Sequence, residues 1–283
     1  MQKLTFTGER MLPEVIHTTI IIEHLHRYGL ASSFCKDKIV LDIASGEGYG
    51  SNLLSQYAKH VTGVDIDKDT IEHATIKYKS KNLEYKVGSA DNIPLADNSV
   101  DVVVSFETIE HHDKHEEMML EIKRVLKPEG IVIISTPDKK YYNADSKHEG
   151  NPNEFHVKEL YHEEFDSLVK KHFKNVNMLG QQCGTMSAIF PIEKTAITEM
   201  WLSKGTTQKL QFSDSLEAIF LIAIASDHPI SYSPISIFND SKITEAIYKR
   251  YTDPIYKSWS YRLGNALLSP LRLFGLSSLI KKK

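Results

Sequence analysis

Residues 38–44, Lys-Ile-Val-Leu-Asp-Ile-Ala, form a short apolar run that breaks into Ser45-Gly46-Glu47-Gly48-Tyr49-Gly50. A run of this length closed by glycines reads as a buried parallel strand feeding a tight turn. The same alternation continues down the chain. Residues 49–57 read as a helix, 60–65 as a strand, 67–78 as a helix, and 83–88 and 100–106 as strands. Residues 115–126 read as an amphipathic helix with Met118, Met119, Ile122, Val125 and Leu126 on one side, stopped by Lys127-Pro128-Glu129-Gly130. Residues 131–135 are a fifth strand. Strands alternating with helices at this spacing predict an α/β, doubly wound sheet.

Beyond Pro137 the pattern loosens. Residues 138–153 are polar and turn-rich, 157–172 helical, and 176–179 a sixth strand. Residues 216–225, apolar and β-branched, are a seventh. This gives a main domain over 1–230 with an insertion at 181–215, then a helical tail over 231–283 with a helix at 241–251. The insertion is long for a connection and carries Phe190, Met200, Trp201, Leu202 and Phe212, as expected of an acceptor cap or a dimer element. A net charge of -3 gives no reason to expect nucleic acid as a partner. Cys35 and Cys183 have no CxxC spacing, and no apolar run reaches the roughly 18 residues of a membrane span. The N-terminus lacks the apolar run of a signal peptide, so a reducing cytoplasm is the expected compartment.

The turn after the first strand permits close approach of a ligand. Asp65 closes the second strand, where a carboxylate can accept hydrogen bonds from both ribose hydroxyls of an adenosine. A glycine pair alone is a weak signal, and its plainer reading is an ordinary strand-to-helix turn. A dinucleotide fingerprint would place a third Gly or Ala where Ser51 stands. Asp42 opposes a pyrophosphate and suits a ligand carrying an ammonium and a sulfonium.

The stretches VLDIASGEGYG, VTGVDID, VGSADNIPLADNSVDVVVSFETIEH and EIKRVLKPEGIVIISTPD resemble the successive motifs of class I S-adenosylmethionine (SAM)-dependent methyltransferases. The resemblance is to the ubiquinone-biosynthesis-like branch. In FTGERMLPE, EHLHRY and FHVKELY it turns toward methyltransferases of bacterial surface-glycan biosynthesis. It implies a seven-stranded Rossmann-like sheet with one antiparallel strand, SAM as cofactor, and methylation of an oxygen or nitrogen on a small or glycan acceptor. It also implies site residues. Asp42, Ala44, Gly46, Gly48 and Tyr49 belong to the cofactor loop, with Asp65 on the ribose and Ile66 on the adenine. Ser89, Ala90 and Asp91 lie beside the adenine edge, where the family usually has an acidic residue at the position of Ser89. The Phe106 carbonyl lies near the methionine ammonium, and Arg10 pairs with the SAM carboxylate.

Glu107, Glu110 and His111 are spaced i, i+3, i+4 and start at a strand's C-terminal end, where ligands sit in such sheets. Three readings stand: a polar helix start, a general base at His111, and a metal site of Glu107, Glu110 and His111. His156 is a second candidate base, or a helix-entry residue. His24 and Tyr28, on a helix beginning near Thr18, either line the acceptor pocket or cap the core. After Asp253 the tail carries Lys257, Arg262, Arg272 and Lys281 to Lys283 among leucines, with no acidic residue. It reads as a helix docked on the domain or a partner, or as a peripheral membrane contact. A homodimer is a further expectation. Non-catalytic SAM binding is the alternative from another class of function.

Overall fold

The computed structural model describes residues 18–142, 153–183, 187–192, 200–203, 210–213, 217–232, 235–239 and 241–273. The chain divides into two compact units, Met1–Asn239 and Asp240–Lys283. The first unit opens with α1 (Thr18–Cys35), β1 (Ile39–Ile43), α2 (Tyr49–Leu54), β2 (His60–Asp65), α3 (Lys68–Lys77), β3 (Leu83–Val87) and β4 (Val100–Phe106). A 3-10 turn (Ile109–His111) leads to α4 (His115–Val125), β5 (Leu126–Pro137), α5 (Lys139–Tyr142), α6 (His162–His172) and β6 (Asn175–Cys183). It ends with β7 (Ser187–Pro191), β8 (Met200–Ser203), β9 (Leu210–Ser213), β10 (Phe220–Ser226) and β11 (Ser236–Phe238). Among the described residues the second unit holds α7 (Ser241–Lys257) and α8 (Trp259–Leu273).

The main sheet runs β11-β7-β6-β10-β5-β4-β1-β2-β3. The neighbours from β5 through β4, β1 and β2 to β3 are parallel, and β10 lies antiparallel between β5 and β6. Each of the seven expected strands has a counterpart, but among the described residues the sheet has nine strands. The front of the expected insertion supplies β7, which pairs antiparallel with β6, and β11 adds outside it. The rest of the insertion carries a separate β8–β9 ladder. The short strands β7 and β11 lack the long apolar run that marks a central strand, so periodicity does not reveal them. Helix α4 ends at Val125, just ahead of Lys127-Pro128-Glu129-Gly130 as expected, but that stretch itself falls within β5. Val100 pairs with Leu126 and Val102 with Ile131, so the intervening residues bulge out of a single β5.

Side-chain alternation splits the strands between two apolar layers. Leu41, Ile43, Val64 and Val103 face one layer with Met118, Met119 and Ile122 of α4 and Phe165 and Val169 of α6. Val40, Val61, Val102, Val104, Ile222 and Ile224 face the other, with Tyr28, Leu30 and Ala31 of α1 and Leu54 of α2. The α4 stripe is buried as its spacing requires, while Leu120 on the opposite side is exposed. Leu126, expected at the end of this helix, instead begins β5. Helix α1 seats on α2 because Gly50 has no side chain: a Cβ there would meet the Tyr28 ring at 1.9 Å. Among the described residues no helix is long and apolar enough to cross a membrane. Neither Cys35 nor Cys183 is in a disulfide, and burial pushes the Cys35 thiol up to about 12.

Candidate active site

The chain crosses from the β3 edge back to β4, on the far side of β1, and a cavity of about 670 Å³ opens over the C-terminal ends of these strands. Such a reversal leaves a crevice where ligands bind. One end is lined by Ala44, Ser45, Gly46, Asp65, Ile66, Ser89, Ala90 and Asp91, the other by Glu107, Glu110, His111 and His156. Arg27, Tyr28, Tyr49, Phe106 and Phe220 also line it.

At the first end the loop is braced from below. Asp65 is 8% exposed, and its carboxylate accepts from the Gly46 N–H at 2.8 Å and the Asp67 N–H at 3.0 Å. Each oxygen retains a lone pair for a further donor. Gly46 takes φ +54° and Ala44 φ +58°, the latter uncommon for a residue with a side chain. Glu47, 1% exposed, receives Lys77 at 2.6 Å and the Tyr78 hydroxyl at 2.7 Å, which ties the loop to α3. Ile66 is 75% exposed on the cavity wall, an apolar surface placed to be covered by a flat ring. Ser89 donates to Asp91 at 2.6 Å and Lys114 reaches Asp91 at 2.5 Å. The lysine hydrogen bond holds the Asp91 carboxyl down to about 2. Ser45 Oγ is buried without a partner and Arg27 Nε likewise, both on residues of the lining. A held carboxylate, an exposed apolar wall and unpaired buried polar atoms fit the adenosine and amino-acid parts of SAM.

Two loop expectations change. Asp42 does not line the cavity. It shares the face of β1 with Val40, is 1% exposed, and accepts from Ser51 Oγ at 2.6 Å and the Tyr28 hydroxyl at 3.3 Å. Burial pushes its carboxyl up to about 7. Strand alternation sends Ile43 to the cavity and Asp42 to the layer of α1 and α2. Gly48 is also off the lining. It takes φ +93°, and a Cβ there would meet Ala74 Cβ and the Tyr85 hydroxyl, both at 2.8 Å, so the glycine serves packing. Arg10 lies outside the described residues.

At the other end Phe106 closes β4, and Glu107 turns the chain with φ +50°. The Glu107 carboxylate accepts from Ser135 Oγ at 2.6 Å and lies 3.8 Å from Arg27 Nη1. Arg27, 1% exposed, also donates to Gln181 Oε1 at 2.8 Å and stands over the Phe220 ring. Glu110 is 1% exposed. Thr136 Oγ1 donates to its Oε2 at 3.3 Å, while Oε1 is buried with no hydrogen-bond partner. Burial, then the charge of Glu107, pushes the Glu110 carboxyl well above the usual range. Its carbonyl accepts from the Val157 and Lys158 N–H groups at 2.8 and 3.0 Å, which draws residues 156–158 over the turn. His156 thereby stands beside His111, ring centroids 5.2 Å apart. The ligand atoms of Glu110, His111 and His156 all lie within 4.8 Å of one another. The expected metal set of Glu107, Glu110 and His111 is thus not the one brought together: Glu107 is engaged by Ser135 and Arg27, and His156 takes its place.

His24 Nδ1 and the Tyr49 hydroxyl are 2.6 Å apart on the wall, and burial lowers the His24 pKa well below its ordinary value. His112 also lines the cavity, and neither of its ring nitrogens has a hydrogen-bond partner. Sequence reasoning gave no individual role to Ser135, Thr136, Glu159 or Arg27; they fall within the stretches IVIISTPD, FHVKELY and EHLHRY, but what each does is recognised only by what it touches. No described residue of 181–215 lines the cavity. Gln181 acts through Arg27, and the side chain of Trp201 lies outside what the structure describes.

Residues 41–134 match the family of methyltransferase domains. A Mycolicibacterium smegmatis protein named "Probable S-adenosylmethionine-dependent methyltransferase" is 33% identical over 168 residues, which are 59% of this chain and 64% of the relative. A Mycobacterium tuberculosis protein of the same name is 34% identical over 179 residues, 62% of this chain and 64% of the relative. The match therefore spans less than two thirds of those relatives. Among solved structures, a SAM-dependent methyltransferase from Thermotoga maritima has a TM-score of 0.51 at 19% identity, covering 74% of this chain and 90% of that one. A Pyrococcus horikoshii protein has a TM-score of 0.53 at 20% identity, covering 78% and 95%. Residues 41–134 thus match a methyltransferase domain, and the chain is similar in sequence and in its Rossmann-like fold to S-adenosylmethionine-dependent methyltransferases.

Proposed function

We propose that the whole chain transfers a methyl group from SAM to an oxygen or nitrogen of a small acceptor, with a sugar or glycan intermediate of cell-surface polysaccharide synthesis as the acceptor class. The observation that carries this reading is one continuous cavity with two unlike ends. A nucleoside-type end holds Asp65 and Ile66, and a proton-accepting end holds Glu107, His111 and His156. When bound, SAM supplies an electrophilic methyl carbon, so the protein's share of the work is positioning and exclusion of water. Asp65 and the Gly46 loop hold the nucleoside. Phe106 and Tyr28, whose rings meet edge to face at 5.1 Å, wall the middle of the cavity. The acceptor enters from the side of His111 and His156, and its proton passes to this polar end. The glycan assignment draws its support from the sequence motifs EHLHRY and FHVKELY.

The test is transfer of isotope-labelled methyl from SAM to panels of nucleotide-linked sugars, lipid-linked sugars and quinone precursors. Label on a sugar panel is the expected result. Label on a quinone precursor alone refutes the glycan assignment. Tight SAM binding with no transfer to any panel favours a non-catalytic binding module.

A further inference from the structure

We propose that α7 and α8 form a surface that lies on an anionic lipid bilayer, with an exposed apolar stripe of each helix set among the lipid headgroups.

The charge of the chain is divided unevenly between its two units. Asp240–Lys283 carries nine lysines and arginines against three acidic residues, a net charge of +6. The whole chain is -3 with histidine neutral, which leaves -9 on residues 1–239. Past Asp253 every charged residue is basic. A cationic segment on an otherwise acidic chain is the part drawn to an anionic surface, and the acidic remainder keeps the rest of the chain off it.

The two helices also present apolar side chains to solvent. In α8, Trp259, Leu263 and Leu267 follow at i, i+4 and i+8 and so share one stripe. In α7, Tyr248, Tyr251 and Ile255 do the same at i, i+3 and i+7. All six are more than half exposed, and Trp259 reaches 83%. Single exposed apolar residues are ordinary, whereas stripes on two consecutive helices mark an interaction surface. The acidic residues of α7 lie off its stripe and are neutralised on the helix itself: Glu245 pairs with Lys249 at 2.6 Å and Asp253 with Lys257 at 2.7 Å. Local contacts hold the helix pair in shape. Ser258, the one residue between the helices, caps α8 by accepting the Tyr261 N–H on its Oγ at 3.2 Å, and the Tyr256 and Tyr261 rings meet edge to face at 4.9 Å.

The chemistry of the stripes selects a bilayer as the occupant. Tyrosine and tryptophan make up half of the six residues, and each joins an apolar ring to a polar hydroxyl or N–H, the combination that concentrates at headgroup level. Arg262, also exposed, can lay its aliphatic stem along the apolar layer and set its guanidinium on a lipid phosphate. A second copy of this surface fits poorly, because it would bring +6 against +6. Among the described residues no helix is long and apolar enough to cross a bilayer, so the pair lies on it rather than through it.

Vesicle binding by the full chain tests the proposal. The vesicles are phosphatidylcholine alone, and phosphatidylcholine mixed about three to one with phosphatidylglycerol. The chain has two tryptophans, so Trp201→Phe leaves Trp259 as the fluorescent reporter. The expected result is co-sedimentation with the anionic vesicles, at least tenfold weaker binding to phosphatidylcholine alone, and a blue shift of Trp259 emission on binding. Salt at about 0.5 M, which shortens screening to roughly 4 Å, should weaken binding at least tenfold. Leu263→Ser combined with Leu267→Ser removes apolar contact without changing any charge, and should also weaken binding at least tenfold, with helix content retained by circular dichroism. Arg262→Glu leaves both stripes whole and should weaken it about tenfold through charge. Equal binding to both kinds of vesicle, or none to either, overturns the proposal. So does wild-type binding in the doubly substituted protein, which would leave only a bare polybasic attraction. A mass increase by light scattering without lipid, abolished by the same substitutions and accompanied by no vesicle binding, makes the surface a protein interface instead.

Discussion

Asp65 is the side chain on which cofactor binding should depend most. Its carboxylate already accepts two backbone N–H groups, at 2.8 Å from Gly46 and 3.0 Å from Asp67, and so is fixed before any ligand arrives. Two ribose hydroxyls donating to it would each contribute about 1.5–3 kcal/mol as hydrogen bonds to a charged group. Water entering the hole left by Asp65→Ala returns part of that. We therefore expect SAM and its demethylated product to bind between tenfold and about a hundredfold more weakly, or about 1.4–2.8 kcal/mol. Asp65→Asn keeps one carbonyl oxygen and should lose about half as much free energy. The alanine variant also strips an acceptor from the Gly46 and Asp67 N–H groups, which can loosen the loop. Calorimetry with the demethylated product, paired with thermal melts of both variants, separates lost contacts from lost fold. Unchanged affinity in a folded Asp65→Ala protein would remove the ribose assignment and the cofactor orientation built on it.

Gly48→Ala should destabilise the chain by about 1–3 kcal/mol for backbone strain alone, since φ is +93° and the new Cβ meets Ala74 and Tyr85 at 2.8 Å; urea denaturation reads this directly, and an unchanged midpoint would contradict the packing role. His26 is held down to about 4 by burial and then by Arg27, so the folded chain lacks a proton that the unfolded chain takes up below about 6.5. Its contribution is present above pH 6.5 and lost as pH falls toward 4, by up to about 3 kcal/mol; His26→Gln should flatten that acid-side decline. Asp42 has the opposite sign: pushed up to about 7 by burial, it contributes fully below about pH 4, and that contribution is lost as pH rises through 7. Asp42→Asn should therefore gain stability relative to wild type between pH 5 and 8, by up to about 4 kcal/mol, and a variant that parallels the wild-type pH profile would refute the assignment.

The half of the cavity proposed for the nucleoside is legible in the sequence because it is local. Asp65 ends a strand whose bounds follow from a run of apolar residues, and the loop before α2 follows its own strand directly. Asp42 departs from the expected lining for a local reason: period-2 alternation sets it with Val40, away from the cavity, whereas a charge argument alone points it inward. The acceptor half was less legible because it is assembled from afar. His156 reaches Glu110 through backbone hydrogen bonds across more than 45 positions, and Arg27 is fixed by Gln181 from 154 positions away. Spacing of i, i+3, i+4 supposed a helix at 107–111. The chain forms a 3-10 turn there instead, so Glu107 diverges from Glu110 and His111.

Backbone strain links the two halves. Among the described residues four side-chain-bearing positions take positive φ: Asp37, Ala44, Asn98 and Glu107. Aspartate and asparagine tolerate this region, and Asp37 and Asn98 belong to surface turns away from the cavity. Alanine and glutamate have no such tolerance, and holding them there costs on the order of 1–3 kcal/mol each. Both line the cavity, Ala44 just past β1 and Glu107 just past β4. Those strands are neighbours, and the chain reverses direction across the sheet between them. The strain is thus confined to the two exits from which the nucleoside and acceptor ends diverge. A fold selected for stability alone would place glycine at both positions. That it holds alanine and glutamate instead is consistent with loops shaped for what they present to the cavity: a backbone opened toward the cofactor at one exit, and a carboxylate turned to Arg27 and Ser135 at the other.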